Sequence, residues 1–223
     1  MEERYLRNLP AISAQEQRLL RDRRVLVVGC GGLGGYLIEY LARLGVGRLT
    51  TVDGDCFQPS NLNRQLLCTW DTLGRSKVRT AAERVRAVNP DVEFQAVEES
   101  FSAENGDGLV RDQDLVLDAL DDVPARLLLE EVCARQGVPL VHGAVCGWTA
   151  QVAVVPPGSG LLRRLYAAPA GGEKSVLPFT PAFCAAIQAA EAVKLLCGWA
   201  PSLEEKVLAA DLSDLDWTLL SSL

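Results

Sequence analysis

Val25 to Val28 is a run of four apolar residues with no polar position among them, the pattern of a short strand covered on both faces. A glycine-rich turn follows, and then a helical pattern that stops at Gly45, placed as a C′ glycine. Leu49–Val52 predicts the next strand. Lys77–Val88 predicts a helix closed by Asn89-Pro90, and Val92–Val97 alternates as a strand. Asp114–Ala119 reads as another buried strand, Pro124–Gln136 as a helix, and Pro139–Val141 as the start of a strand. Gln151–Val155 is expected in an antiparallel extension. Thr180 as N-cap and Pro181 at N1 are expected to open a late helix over AFCAAIQAAEAVKLL, before a strand and a short tail. Upstream, residues 1–23 read as a polar helical arm in which Ser13 and Glu16 have capping-box spacing. Residues 156–180, rich in Pro and Gly and without a period, read as an exposed crossover loop. Alternating strands and helices predict an α/β fold. Its expected form is a doubly wound, Rossmann-like, mostly parallel sheet with a small antiparallel extension and an N-terminal helical arm.

Size and composition place this pattern in one domain. The chain has 223 residues and 48% hydrophobic content. It is expected to form a single domain over 1–223: arm 1–23, nucleotide-binding core 24–155, crossover loop 156–180, and C-terminal helix and strand 181–223. The net charge of −7 disfavours general nucleic-acid binding. The seven cysteines are scattered and form no Cys-x-x-Cys pair, as expected of reduced thiols in a cytoplasmic protein. The charged start MEERYLRNLP lacks a signal-peptide core, and no run of about 18 apolar residues is expected to span a membrane.

The turn itself carries chemistry. Gly29-Cys30-Gly31-Gly32-Leu33-Gly34 fits G-x-G-x-x-G between a strand and a helix, where glycines let backbone approach a nucleotide at a helix N-terminus. Asp53 ends the second strand, where a ribose-binding acid belongs. The competing reading is a tight turn that Asp53 merely caps. The glycines alone do not choose between NAD and ATP.

A second cluster does. Hydride transfer usually needs a general acid, and the one histidine, His142, reads as a strand-end packing residue. Asn61, Arg64, Gln65 and Lys77 instead form a polar and cationic set just beyond the ribose acid, suited to a triphosphate. Taken singly, Arg64 and Lys77 are also compatible with ordinary surface charges. In LVLDALDD, Asp121 and Asp122 follow a buried strand, over the expected nucleotide crevice, a place for acids that hold Mg²⁺. Asp118 reads as structural, accepting backbone N–H groups. Together these groups describe ATP with Mg²⁺.

With these motifs in order over nearly the whole chain (RYLRN, GCGGLG, VDGD, SNLNRQ, GRSKV, LDALDD and IQAAEAVKLL), the sequence resembles the ThiF/MoeB/HesA group, bacterial relatives of ubiquitin-activating E1 enzymes. The resemblance implies adenylation of the C-terminal glycine carboxylate of a small ubiquitin-like sulfur-carrier protein ending in Gly-Gly, with release of pyrophosphate. It implies that Gly32 lies against the nucleotide and that Asp53 binds the ribose. Asn61, Arg64 and Lys77 would contact phosphates with Gln65 in support, and Asp121 would ligate Mg²⁺. Arg7 would reach the phosphates of the other subunit of a homodimer. An arginine finger of that kind is worth roughly 10³–10⁵ in rate.

The sequence also departs from the group. Many members carry two Cys-x-x-Cys pairs for structural zinc. The corresponding stretches here read SGLLRRL and DWTLLSSL, so no zinc is expected. The segment from Gly158 to Thr180 has no cysteine for sulfur transfer, so no covalent enzyme–cysteine step is expected. Cys184 reads as core packing and Cys146, in GAVCGW, as the better thiol candidate, with the reactivity of both open. Three other readings stay open: a same-fold enzyme acting on a peptide or tRNA-borne carboxylate, a degenerate binding module, and a nicotinamide dehydrogenase. The partner's pathway, whether thiamin, molybdopterin, cysteine or another sulfur route, is left open.

Overall fold

A computed structural model describes residues 2–167 and 175–221. Eight strands form one sheet: β1 (Arg24–Val28), β2 (Arg48–Val52), β3 (Glu93–Val97), β4 (Leu115–Asp118), β5 (Leu140–Cys146), β6 (Thr149–Val155), β7 (Val207–Asp211) and β8 (Asp216–Leu220). Their spatial order is β3-β2-β1-β4-β5-β6-β7-β8. The first five in that order pair in parallel, and β6, β7 and β8 continue the sheet antiparallel. The order reverses between β1 and β4, so their C-terminal ends frame the crevice where open α/β sheets bind ligands.

The central strands β1 and β4 are mostly apolar because both faces are covered. Val25 and Val27 join one core with Leu115 and Leu117, while Leu26 and Val28 join a second core with Val116. The first core packs against α1 (Ala14–Leu20), α2 (Gly32–Leu44), α3 (Lys77–Val88) and α7 (Phe179–Cys197). The second packs against α4 (Gly106–Val110), α5 (Val123–Gln136) and α6 (Leu161–Leu165). The expected bounds of α3 coincide with the observed helix, and Ser13 and Glu16 form the expected capping box. The arm is held through Tyr5, whose buried hydroxyl accepts from Asn89 at 2.8 Å.

Four expectations change. The span 156–180 is not all exposed loop: Leu161 and Leu162 are buried in α6, whose first amides donate to the Glu130 carboxylate of α5 at 2.8 and 3.1 Å. Residues 168–174 of that span lie outside the described residues. The chain closes with a hairpin of two strands rather than one strand. Thr180 is not an N-cap. The last helix begins at Phe179, and the Thr180 hydroxyl donates to the Gly147 carbonyl at 2.9 Å, tying α7 to the β5–β6 turn. Finally, α7 is long and apolar enough, by length and composition, to cross a membrane, which the sequence reading denied. Half of it is buried against the protein. Gln188 donates to the Asp118 and Val141 carbonyls, and Glu191 accepts from the Leu203 amide, as in a core helix.

Candidate active site

One cavity of about 990 Å³ opens over the C-terminal ends of β1 and β4 and extends along the antiparallel strands. At one end the turn from β1 to α2 is pressed against β4. Gly29 has φ 99°, and a Cβ there would stand 2.6 Å from the Ala119 carbonyl oxygen. A Cβ on Gly34 would stand 2.0 Å from the Gly29 oxygen, so these two glycines let the turn close. Gly31 and Gly32 face the cavity instead, where the first turn of α2 presents amides and the positive end of its dipole.

Asp53 lines the cavity, but it also organises the turn: its carboxylate accepts from the amides of Cys30 at 2.8 Å and Asp55 at 2.9 Å. Lys77, the first residue of α3, is only 6% exposed, and its Nζ lies 2.7 Å from Asp55 and 3.6 Å from Asp53. Arg64 donates to the Ser60 carbonyl and the Asn63 side chain, both at 2.9 Å, which holds its guanidinium at the rim. Asp121 and Asp122 line the opposite wall. Asp122 caps α5 by accepting from the Ala125 amide at 3.0 Å, whereas Asp121 sits exposed in the loop before it.

The cavity thus gathers Gly29, Gly31, Gly32, Asp53, Arg64, Gln65, Lys77, Asp121 and Asp122. Three sequence candidates do not line it. Gly34 is packed behind the turn. Asn61 turns its side-chain oxygen to the Gln58 amide at 3.0 Å, and Ser60 and Asn63 line the wall in its place. Arg7 is exposed in a 3₁₀ turn over Glu3–Asn8, outside the cavity. Cys184 is fully buried, and burial pushes its thiol up to about 12, as expected of core packing. Cys146 is exposed and lines the cavity.

The sequence reading missed what lies beneath the floor. Asp118, fully buried, accepts from the Leu120 amide at 2.9 Å, as expected of a structural acid, and also from His142 Nδ1 at 2.6 Å. His142 Nε2 lies 3.0 Å from the Tyr166 hydroxyl, which accepts from Gln151 at 2.7 Å and Arg126 at 3.1 Å. His142 is therefore not a plain packing residue. The expected strand-end placement does not hold, because His142 lies inside β5 opposite Ala153, and Tyr166 lay in the stretch read as loop.

Burial, more than any charge, holds the His142 pKa below 6.5, opposed by Asp118 and Glu130 and assisted by Arg126. The folded protein resists a proton that the unfolded chain accepts, so stability is full above pH 6.5 and declines as pH falls below it. Urea midpoints measured downward from pH 7 should show that decline. The His142→Gln variant, whatever its absolute stability, should show a shallower slope in the same range.

The residues present fit a nucleoside triphosphate and a divalent ion. Gln65 is 7% exposed and its Oε1 has no partner among the described residues, a buried acceptor beside the Gly31 turn. Among the described residues no group of three or more acids, cysteines or histidines could cage a metal. One or two carboxylates, completed by substrate phosphates and water, are the usual Mg²⁺ donor set, and Asp121 is the carboxylate here that would hold the ion.

A family model described as the ThiF family matches residues 3–222. The chain is 38% identical over 222 residues to the SAMP-activating enzyme E1 of Haloferax volcanii, covering 96% of this chain and 82% of that one. It is 36% identical over 224 residues to the sulfur carrier protein adenylyltransferase of Thermus thermophilus, covering 94% and 83%. Its fold is similar to that of E. coli MccB solved with ATP, with a TM-score of 0.86 and 18% identity over 98% of this chain and 70% of that one. At that identity the likeness is one of fold.

Proposed function

The chain belongs to the ThiF family of E1-like adenylyltransferases, and we propose that its substrate is the C-terminal glycine carboxylate of a small ubiquitin-like sulfur-carrier protein. The observation that carries this reading is a single cavity with two unlike ends. One end joins the glycine turn, Asp53, Arg64, Lys77 and Asp121. The other runs along small and polar side chains of β6, β7 and β8, including Ala209, Ala210 and Thr218, a lining suited to an extended Gly-Gly tail. The names of the relatives, which activate SAMP or sulfur-carrier proteins, support the same substrate class.

In this reading the partner's carboxylate oxygen attacks the α-phosphorus of ATP. The bond from that phosphorus to the bridging oxygen breaks, and pyrophosphate leaves with the bonding pair. Asp53 holds the ribose. Arg64 and Lys77 neutralise charge on the phosphates, and Lys77 exchanges part of its pairing with Asp55 for them. Mg²⁺, held by Asp121 when bound, supplies further neutralisation of the departing pyrophosphate. No cysteine is used covalently. The working unit is a homodimer in which Arg7 serves the neighbour's site. Seven cysteines that form no Cys-x-x-Cys pair fit a cytoplasmic setting.

The direct test is ATP–pyrophosphate exchange with a purified small protein ending in Gly-Gly. Exchange that depends on that partner is the expected result. Exchange stimulated instead by a free peptide or by tRNA would reassign the substrate. Because the Cys-x-x-Cys pairs of many relatives are missing, metal analysis should also find no stoichiometric zinc, and chelators should leave the melting temperature unchanged. One zinc per chain would refute this.

A further inference from the structure

We propose that Tyr166, His142, Asp118 and Arg126 form a positioning relay that fixes the Asp121 loop for its divalent ion, an inference that rests on the adenylation reading above. The geometry converges on Leu120, the residue immediately before Asp121. Its amide donates to Asp118 Oδ1 at 2.9 Å, and its carbonyl accepts from Arg126 Nη2 at 2.6 Å. Both backbone polar groups of that residue are therefore held by side chains, and both side chains are held in turn. Asp118 Oδ2 receives His142 Nδ1, and Arg126 Nη1 donates to the Tyr166 hydroxyl.

The relay has one consistent proton arrangement. Arg126 and Gln151 each donate to the Tyr166 oxygen, so the hydroxyl has its own proton to give. The remaining partner is His142 Nε2, which must accept. The imidazole then carries its proton on Nδ1 and donates it to the Asp118 carboxylate. Asp118 and His142 are wholly buried and Arg126 is 8% exposed, so loss of one member leaves others unpaired away from water. Arg126 Nε has no hydrogen-bond partner among the described residues and stands 3.6 Å from Asp118 Oδ2, which leaves the guanidinium dependent on its two Nη contacts. Tyr166 itself closes α6, the helix anchored on α5 through Glu130. The relay therefore spans from the edge of the acceptor end of the cavity to the carboxylate that faces the phosphates.

None of these groups is assigned to contact with the reacting atoms. Their effect runs through Asp121, as the outer partners of a metal ligand set its orientation, typically at a cost of about 10- to 100-fold in metal affinity when removed. The Tyr166→Phe variant keeps the ring and deletes the hydroxyl. Binding of a fluorescent ATP analogue to the folded variant should need about tenfold more Mg²⁺ for half-saturation, while its affinity without Mg²⁺ stays at the wild-type value. A merely structural role would weaken nucleotide binding equally with and without the ion.

The chain has one histidine, so its ring nitrogens give unambiguous NMR signals. In the wild type they should report the Nδ1–H tautomer, and they should move on adding Mg²⁺ with ATP but not on adding ATP alone. That measurement stands if Tyr166→Phe fails to fold. An Nε2–H tautomer, a ring signal unmoved by Mg²⁺ with ATP, or an unchanged Mg²⁺ requirement in folded Tyr166→Phe would overturn the relay alone. Wild-type protein that binds no ATP in the presence of Mg²⁺ would overturn the adenylation reading and the relay with it.

Discussion

Asp121→Ala should lower Mg²⁺-dependent pyrophosphate exchange by about 10²–10³-fold, the scale for loss of one preorganised charge-stabilising group. The variant should still fold, because Asp121 is exposed in the loop between β4 and α5 and not in the core. The neighbouring acids are the internal controls. Asp122→Ala removes a helix cap, so it should cost about 1 kcal/mol of stability with a smaller effect on exchange. Asp118→Ala removes the buried acceptor of His142 and Leu120, so it should destabilise the fold first. Three acids within five residues thus separate by chemistry: one loses rate, one loses a cap and one loses the core. Near wild-type exchange in a folded Asp121→Ala protein would remove Asp121 from the ion's coordination.

What the sequence disclosed about this site is what local chemistry encodes. The glycine turn was legible because only glycine lets Gly29 approach the Ala119 carbonyl and Gly34 approach the Gly29 carbonyl as they do. The bounds of α3 were legible because Asn89-Pro90 stops a helix with no tertiary help. Asp53, Lys77 and Asp121 were legible as types at strand and helix ends, although the pairing of Lys77 with Asp55 depends on folding. The failures are non-local. The α6 helix has five residues and no side-chain cap of its own, and it is nucleated by a carboxylate from α5 some thirty residues earlier. Thr180 has the form of a cap but is recruited by Gly147 across the β5–β6 turn. The relay under the cavity floor joins residues from β4, α5, β5 and the end of α6, and no spacing in the chain brings them together.

Mixing two inactive variants, Arg7→Ala and Asp121→Ala, should restore activity to about a quarter of the wild-type value per chain, provided that sites are shared across the proposed dimer. The arm that bears Arg7 is anchored to its own subunit: Tyr5 is buried against Asn89, and Arg4 donates to Asn89 at 2.6 Å and Asp91 at 2.7 Å. Arg7 lies exposed two residues beyond that anchor and outside the cavity of its own chain. An arginine so placed serves either solvent or a neighbour. If it serves the neighbour, it neutralises charge as pyrophosphate departs, and each variant alone should be inactive, Arg7→Ala by roughly 10³–10⁵-fold. Random exchange at equal amounts places about half of the chains in heterodimers. Each heterodimer holds one site with both residues intact and one with neither, so about a quarter of all sites recover. A third variant, the milder Asp121→Asn, should differ from Arg7→Ala in its response to the ion: excess Mg²⁺ should partly compensate its weakened coordination and should do nothing for Arg7→Ala. Heterodimers demonstrated by mass spectrometry without recovered exchange would place Arg7 in its own subunit's chemistry or outside the reaction.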